Sequence, residues 1–291
     1  MIWRCRDRRF DLETHTHVMV IVNVTPDSFS DGGRTLDPRA AAERARALAA
    51  EGADVVDLGA ESTRPGSSPV PAAEQWRRLE PVLAALNGSR APALSVDTAS
   101  AEVAARALEA GACAVNDVSA LRDPEMARVV GDAGAGLVLM HMRGAPATMQ
   151  QDPRYGDAAA EVAAWLTGRL ERARRAGIRD EAVVLDPGIG FGKTVRHNLE
   201  LLARLEELAA LGRPVLVGVS RKSFLGAPPP RDPGAALPVD QRLEAGLAAT
   251  AVAVFLGARI VRTHDVAATV RAARIADRLR EARRSAADLP R

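Results

Sequence analysis

The chain has 291 residues, 47% of them hydrophobic and 26% charged, which is enough apolar material for a sizeable core in one large domain. Its 39 basic and 37 acidic residues leave a formal charge of +2, which excludes a global field for drawing in nucleic acid or an anionic membrane, so any anion binding must be local. Cys5 and Cys113 lack CxxC spacing, residues 1–17 are charged without an apolar stretch, and no apolar run is long enough to cross a bilayer; a cytoplasmic protein with no disulfide framework is expected.

Residues 1–17 read as an N-terminal extension. After them one unit recurs: a short β-branched run, a polar residue at its end, a helical segment, then a glycine. The first run, 18–25, is followed by Asp37-Pro38, an N-cap oxygen with proline at the first helical position, and a helix over 39–51. Gly52 leads into the second run, 53–60. The third run, 93–98, precedes a helix over 101–110 that Ser100 can cap and Gly111 can end. After the fourth run, 112–119, Asp123-Pro124 should cap another helix. The fifth run, 136–142, leads to a helix over 158–176 and Gly177, the sixth, 182–187, to a helix over 198–211 and Gly212. The seventh run, 214–220, is followed by a Pro-rich loop, 226–238. Gly257 opens the eighth, 258–264, and Asp265 should cap the last helix. Arginines over 271–284 alternate with Ala, Glu and Asp as on a solvated helix face, and 281–291 read as a tail.

The runs are nearly continuous Val, Leu, Ile and Ala, as parallel strands buried on both faces require. Eight such units could build an open doubly wound sheet, but that fold leaves two edges and usually carries a Gly-rich turn after its first strand. Here the first run ends Asn-Val-Thr-Pro. The expectation is a single-domain α/β fold, a (β/α)8 TIM barrel over 18–280, because eight strands make an interior that aliphatic side chains can fill.

In barrels of this kind function sits at the carboxyl ends of the strands. The runs end, in order, with Asn23; Asp57 leading to Glu61-Ser62-Thr63-Arg64-Pro65-Gly66; Asp97-Thr98; Asn116-Asp117; Met140-His141; Asp186; Ser220-Arg221-Lys222-Ser223; and Arg262-Thr263-His264-Asp265. Asp57 and Asp117 read as structural and His141 as a wall residue. Arg64, Arg262 and His264, with Asn23 and Thr63, suit a phosphate or pyrophosphate, since guanidinium forks match such oxygens. Asp97, Asn116, Asp186 and Lys222 suit a flat heterocycle, and a buried carboxylate can accept two parallel bonds from an amino-pyrimidinone. The run Gly188-Ile189-Gly190-Phe191-Gly192-Lys193-Thr194 is one residue short of a phosphate loop, so its glycines read instead as close backbone approach with Phe191 stacking on a ligand.

These motifs together resemble the dihydropteroate synthase family over residues 18–266. The most diagnostic runs are Asn23-Val24-Thr25-Pro26-Asp27-Ser28-Phe29-Ser30-Asp31-Gly32-Gly33 and Glu61-Ser62-Thr63-Arg64-Pro65-Gly66. Asp186-Pro187-Gly188-Ile189-Gly190-Phe191-Gly192-Lys193-Thr194, Ser220-Arg221-Lys222-Ser223 and Arg262-Thr263-His264-Asp265 complete the set.

The resemblance implies condensation of 6-hydroxymethyl-7,8-dihydropterin pyrophosphate with p-aminobenzoate, giving dihydropteroate and pyrophosphate with Mg2+ assistance. It implies a pterin held by Asp97, Asn116, Asp186 and Lys222, with Met140, Gly190 and Phe191 beside it. Asn23, Arg64, Arg262 and His264 match the pyrophosphate region, Asn23 being the metal ligand. Phe29 and Asp31 lie on one lid loop, Thr63 and Pro65 on another, while Arg221 and Ser223 face the second substrate. A homodimer is the family's usual state. A methyltetrahydrofolate:corrinoid methyltransferase would share Asp97, Asn116 and Asp186 but leave Arg64 and Arg262 without a purpose. A pterin-binding paralogue without catalysis differs only by assay.

Overall fold

The computed structural model describes residues 1–25, 37–62, 66–88, 91–228 and 234–287. The extension is not shapeless: it folds as an antiparallel hairpin of β1 (Ile2–Cys5) and β2 (Arg8–Asp11). Each β-branched run then supplies a strand: β3 (His17–Asn23), β4 (Val55–Gly59), β5 (Ala93–Asp97), β6 (Ala114–Asp117), β7 (Gly136–Met140), β8 (Val183–Asp186), β9 (Leu216–Val217) and β10 (Ile260–Thr263). Neighbours run parallel in the order β8-β7-β6-β5-β4-β3-β10-β9. The two ends meet through a bridge between Leu185 and Val215, with the Leu185 amide donating to the Pro214 carbonyl at 2.9 Å, so the sheet closes into the expected barrel.

The crossovers are α1 (Pro38–Ala50), α2 (Ala72–Leu86), α3 (Ala101–Glu109), α4 (Met126–Ala133), α5 (Ala158–Arg175), α6 (Val195–Ala203), α7 (Leu205–Ala209), α8 (Leu243–Phe255) and α9 (Val266–Ala287). Asp37 and Ser100 cap as their sequence positions require, accepting from the Arg39 and Val103 amides. Some expectations are corrected. Asp123 lies ahead of α4, which starts only at Met126; its carboxylate accepts from the Ala101 amide at 2.9 Å and so tethers the start of α3. The helix expected over 198–211 is two helices meeting at Arg204, the first capped by Thr194 through the His197 amide. Asp265 does stand at the amino end of the last helix, its carbonyl accepting from the Thr269 amide at 3.0 Å, while its carboxylate pairs with Arg221 at 2.7 Å. The last helix runs on through the expected tail as far as Ala287.

Outward-facing strand residues such as Val20, Val56, Leu58, Val96 and Leu139 pack beneath the helices in the main core. Inside the barrel a second cluster takes one residue from every strand: Met19, Val55, Ala93, Ala114, Val138, Val184, Leu216 and Ile260. The hairpin closes this ring from below with Trp3, Cys5 and Leu12. Trp3 is 1% exposed, and its indole N–H donates to the Ala182 carbonyl at 2.9 Å. Residue 136 has to be glycine there, because a Cβ would stand 2.3 Å from Cys5 Sγ. Among the described residues no helix is long and apolar enough to cross a membrane.

Candidate active site

Side chains alternate along a strand, so two residues beyond the apolar ring the chain faces the interior again. Here the ring reads Ile21, Asp57, Ser95, Asn116, Met140, Asp186, Gly218 and Arg262. The barrel interior thus changes from wholly apolar to mostly polar in one step, at the end where the strands terminate.

Arg262 organises this level. Its Nε donates to Asp57 Oδ2 and its Nη2 to Asp97 Oδ2, each at 2.7 Å. Asn116 Nδ2 donates to the same Asp57 oxygen at 2.9 Å. Gly218 lies beside the arginine stem, where a Cβ would make ordinary contact at 3.5 Å from Arg262 Cβ. Asp57 Oδ1 and Asn116 Oδ1 are buried acceptors with no partner among the described residues. Because leaving such atoms unpaired costs about 1–3 kcal/mol each, they describe a surface made for a ligand's N–H groups.

Burial pushes the Asp97 carboxyl up to about 7, against the pull of Arg262. Asp186 is also raised by burial, with Lys222 opposing, and its Oδ1 accepts from the Gly188 amide at 2.6 Å. Burial brings the Lys222 ammonium down to about 8, against the attraction of Asp186. That ammonium donates to the Ile189 carbonyl and sits 4.6 Å over the Phe191 ring. Phe191 packs with Val118, Met140, Met142 and Met149 as an apolar wall.

The glycine-rich run after β8 is a close-packed loop. Gly188 has φ +64°, and a Cβ there would lie 1.8 Å from the His141 carbonyl oxygen, so no other residue fits. Gly190 donates its amide to Asn198 Oδ1 at 2.6 Å, and its carbonyl accepts from Gln150 at 2.7 Å. Lys193 is 3% exposed and donates inward, to His141 Nδ1 at 2.9 Å, Gly188 O at 2.9 Å and Phe191 O at 3.0 Å. It therefore braces the loop rather than offering a phosphate its charge. Burial holds His141 down at about 2, so the imidazole is neutral and accepts from the lysine.

A row of paired residues forms the rim: Asn23 lies opposite Gly59, Gly59 opposite Asp97, and Asp97 opposite Asn116. Gly59 leaves a gap between Asn23 and Asp97; a Cβ built on it would stand 3.7 Å from Asn23 Oδ1 and 3.6 Å from Asp97 Cβ. At the β9–β10 corner Ser220 Oγ is 3.0 Å from His264 Nδ1, and Arg221, at φ +62°, pairs with Asp265. Ser223 opens a four-residue 3-10 turn, Ser223–Gly226.

The structure brings Asn23, Asp97, Asn116, Met140, Asp186, Gly190, Phe191, Lys222 and Arg262 to one mouth. Phe29, Asp31, Thr63, Arg64 and Pro65 lie outside the described residues. One grouping changes: Arg262, expected with His264 in an anion pocket, is held by its contacts to Asp57 and Asp97 on the heterocycle side. Asp57, read as structural, anchors both Arg262 and Asn116 on the floor.

A family model described as pterin binding enzyme matches residues 19–264. The chain is 41% identical to the dihydropteroate synthase of Escherichia coli (strain K12) over 264 residues, 91% of this chain and 92% of that one. It is similar to a solved Xanthomonas albilineans dihydropteroate synthase with 4-aminobenzoic acid, at TM-score 0.85 and 42% identity over 99% of both chains. A structure of the Xanthomonas albilineans enzyme in complex with 7,8-dihydropteroate aligns at TM-score 0.82 and 40% identity over 100% of both.

Proposed function

The chain belongs to the pterin-binding enzymes, in the dihydropteroate synthase family, and we propose that its barrel mouth holds the pterin pyrophosphate on the floor around Asp97 and Asn116 while p-aminobenzoate enters above. The observation that carries this reading is the buried floor of unpaired acceptors, Asn116 Oδ1 and Asp57 Oδ1, beside the Asp97 and Asp186 carboxylates. A 2-amino-4-oxo-pteridine offers the matching N–H donors on one edge, and rings without them would leave these acceptors unsatisfied. Lys222 donates toward the ring's acceptors, and Met140 and Phe191 cover its faces.

The reaction breaks the bond between the exocyclic methylene carbon and the bridging pyrophosphate oxygen and forms a bond from that carbon to the aminobenzoate nitrogen, which loses a proton. The electron-rich dihydropterin supports positive charge on the methylene, so departure can run ahead of attack and the weakly basic aniline needs little deprotonation. In this scheme Arg64 and His264, with Thr63, take up charge on the leaving pyrophosphate, while Arg262 stays with Asp57 and Asp97 on the floor. Arg221 and Ser223 face the aminobenzoate carboxylate, for which Arg221 would release Asp265, and Phe29, Asp31 and Pro65 close over it.

Mg2+ fits the gap beside Gly59, where the amide oxygen of Asn23 is a hard donor suited to an ion held mainly by water and pyrophosphate oxygens. When bound it neutralises charge on the departing group. A homodimer is supported by Val252, Ile275 and Leu279, which stand 49%, 50% and 55% exposed on α8 and α9. The free thiols Cys5 and Cys113 suit a reducing, cytoplasmic setting.

The test mixes purified protein, the pterin pyrophosphate, Mg2+ and p-aminobenzoate and follows pyrophosphate and dihydropteroate. Stoichiometric formation of both is expected, and turnover should vanish with a chelator and return when excess Mg2+ is added. Tight pterin binding without product would reduce the protein to a pterin carrier.

A further inference from the structure

We propose that Arg242, at the start of α8, is a positioning residue for the aminobenzoate end of the mouth: it fixes the backbone of Arg221 to the two ends of the Pro-rich loop. The inference rests on the reading above that Arg221 and Ser223 face the second substrate.

The sequence places Arg242 just past that loop, and its guanidinium turns back onto it. Nε and Nη2 both donate to the Leu237 carbonyl, at 3.0 and 2.8 Å, so one oxygen takes two prongs of the fork. The other terminal nitrogen, Nη1, donates to the Arg221 carbonyl at 3.1 Å. One side chain thus joins the far end of the loop to the segment that leads into it.

The loop's own ends meet at this fork. The Leu237 amide donates to the Gly226 carbonyl at 2.8 Å. Residue 226 has to be glycine for that approach, because a Cβ on it would stand 2.7 Å from the Leu237 oxygen and 2.9 Å from Arg242 Nε. Leu237 is 42% exposed, so little apolar burial holds the junction and its hydrogen bonds decide its geometry.

What the junction fixes is Arg221. That residue has φ +62°, a left-handed backbone that costs a side-chain-bearing residue energy and persists where its neighbours determine it. Its guanidinium is committed to Asp265 at 2.7 Å and has to leave that partner to meet a substrate carboxylate. A side chain that changes partner arrives in the right place only from a backbone that stays put, and the Arg242 bond to the Arg221 carbonyl pins that backbone. Lys222, the next residue, has anchors of its own: its amide donates to the Val219 carbonyl at 3.1 Å and its ammonium to the Ile189 carbonyl. Loss of the Arg242 fork should therefore reach the aminobenzoate side and spare the pterin side. The start of α8 is spared too, since what Arg242 gives the helix is its carbonyl, which accepts from the Gly246 amide at 3.0 Å.

Two full-length variants break the junction in different ways: Arg242→Met keeps the stem and loses the donors, and Gly226→Ala keeps the donors and forces the partners apart. In each, KM for p-aminobenzoate should rise about tenfold while KM for the pterin pyrophosphate stays within about twofold of the parent's. The double variant should be no worse than the more impaired single one, because both changes open one junction. Hydrogen exchange at the Leu237 amide, which does not depend on turnover, should quicken at least ~10-fold in Arg242→Met. Unchanged exchange, an aminobenzoate KM within about twofold of the parent's, or an equal rise in both KM values overturns the proposal. A parent that makes no dihydropteroate takes the proposal down together with the functional reading beneath it, and that result is seen before any variant is compared.

Discussion

Replacing Arg262 by alanine removes a cation that Asp57 and Asp97 share through bonds of 2.7 Å each. Both carboxylates are buried, at 0% and 8% exposure. Taking one partner from a buried pair costs about 3–5 kcal/mol. The lower figure applies here because Asp97, already at about 7, can escape its loss by taking up a proton. At roughly 0.6 kcal/mol per degree of unfolding entropy for a chain this long, Tm should fall by about 5 °C with the fold retained. Turnover should suffer more: kcat/KM is expected to drop on the order of 100-fold or more, about 2.7 kcal/mol of transition-state stabilisation. Because Arg262 lowers the Asp97 pKa, its loss also moves the acidic limb of the pH profile upward. A thermodynamic cycle with Asp57→Asn should give a coupling of about 2 kcal/mol between the two positions. A variant that melts within about 1 °C of the parent and keeps near-normal kcat/KM would refute the assignment of Arg262 as organiser of the floor.

Lys222→Ala should lower kcat/KM by on the order of 100-fold with little change in Tm, since the ammonium's partner in the free protein is the Ile189 carbonyl; steady-state kinetics beside a melting curve decide it. Asp97 has a raised carboxyl pKa, so protonation stabilises the empty protein as pH falls from about 7 toward the unfolded value near 4, and that gain is lost as pH rises through 7. Pterin binding needs the ionised form and should weaken by about tenfold for each pH unit below 7, read as Kd by calorimetry; a flat profile from pH 5.5 to about 8 would discard this role. Trp3→Ala empties the base of the barrel and should cost about 3–5 kcal/mol, lowering Tm by roughly 5–8 °C while kcat at 25 °C stays within about twofold, because the perturbed end is far from the mouth.

The strands were readable because both of their faces are apolar: 136–140 is Gly-Leu-Val-Leu-Met, and only a strand covered on both sides tolerates that composition. The hairpin was not readable. Ile-Trp-Arg-Cys and Arg-Arg-Phe-Asp look like charged surface until Trp3, Cys5 and Leu12 are seen to share a destination supplied by eight distant strands. The active-site residues were legible one at a time at the strand ends, yet their partners were not. Arg262 was sorted by the chemistry of its side chain, toward anions in the substrate, whereas its immediate neighbours are two anions of the protein. Lys193 shows the same limit from the other side: only the fold reveals that two carbonyls of its own loop and the ring of His141 take up its donors.

The hairpin's destination bears on the order in which the molecule assembles. Residues 2–11 can pair locally as soon as they are made, but the indole of Trp3 must wait for Ala182, 179 residues later, before it has an acceptor. Closing so long a loop carries an entropy penalty of roughly 4–5 kcal/mol, which only a nearly finished barrel can offset. Seating of the hairpin is therefore a late event in folding, and until it occurs the incomplete barrel carries an uncovered tryptophan that a chaperone can bind.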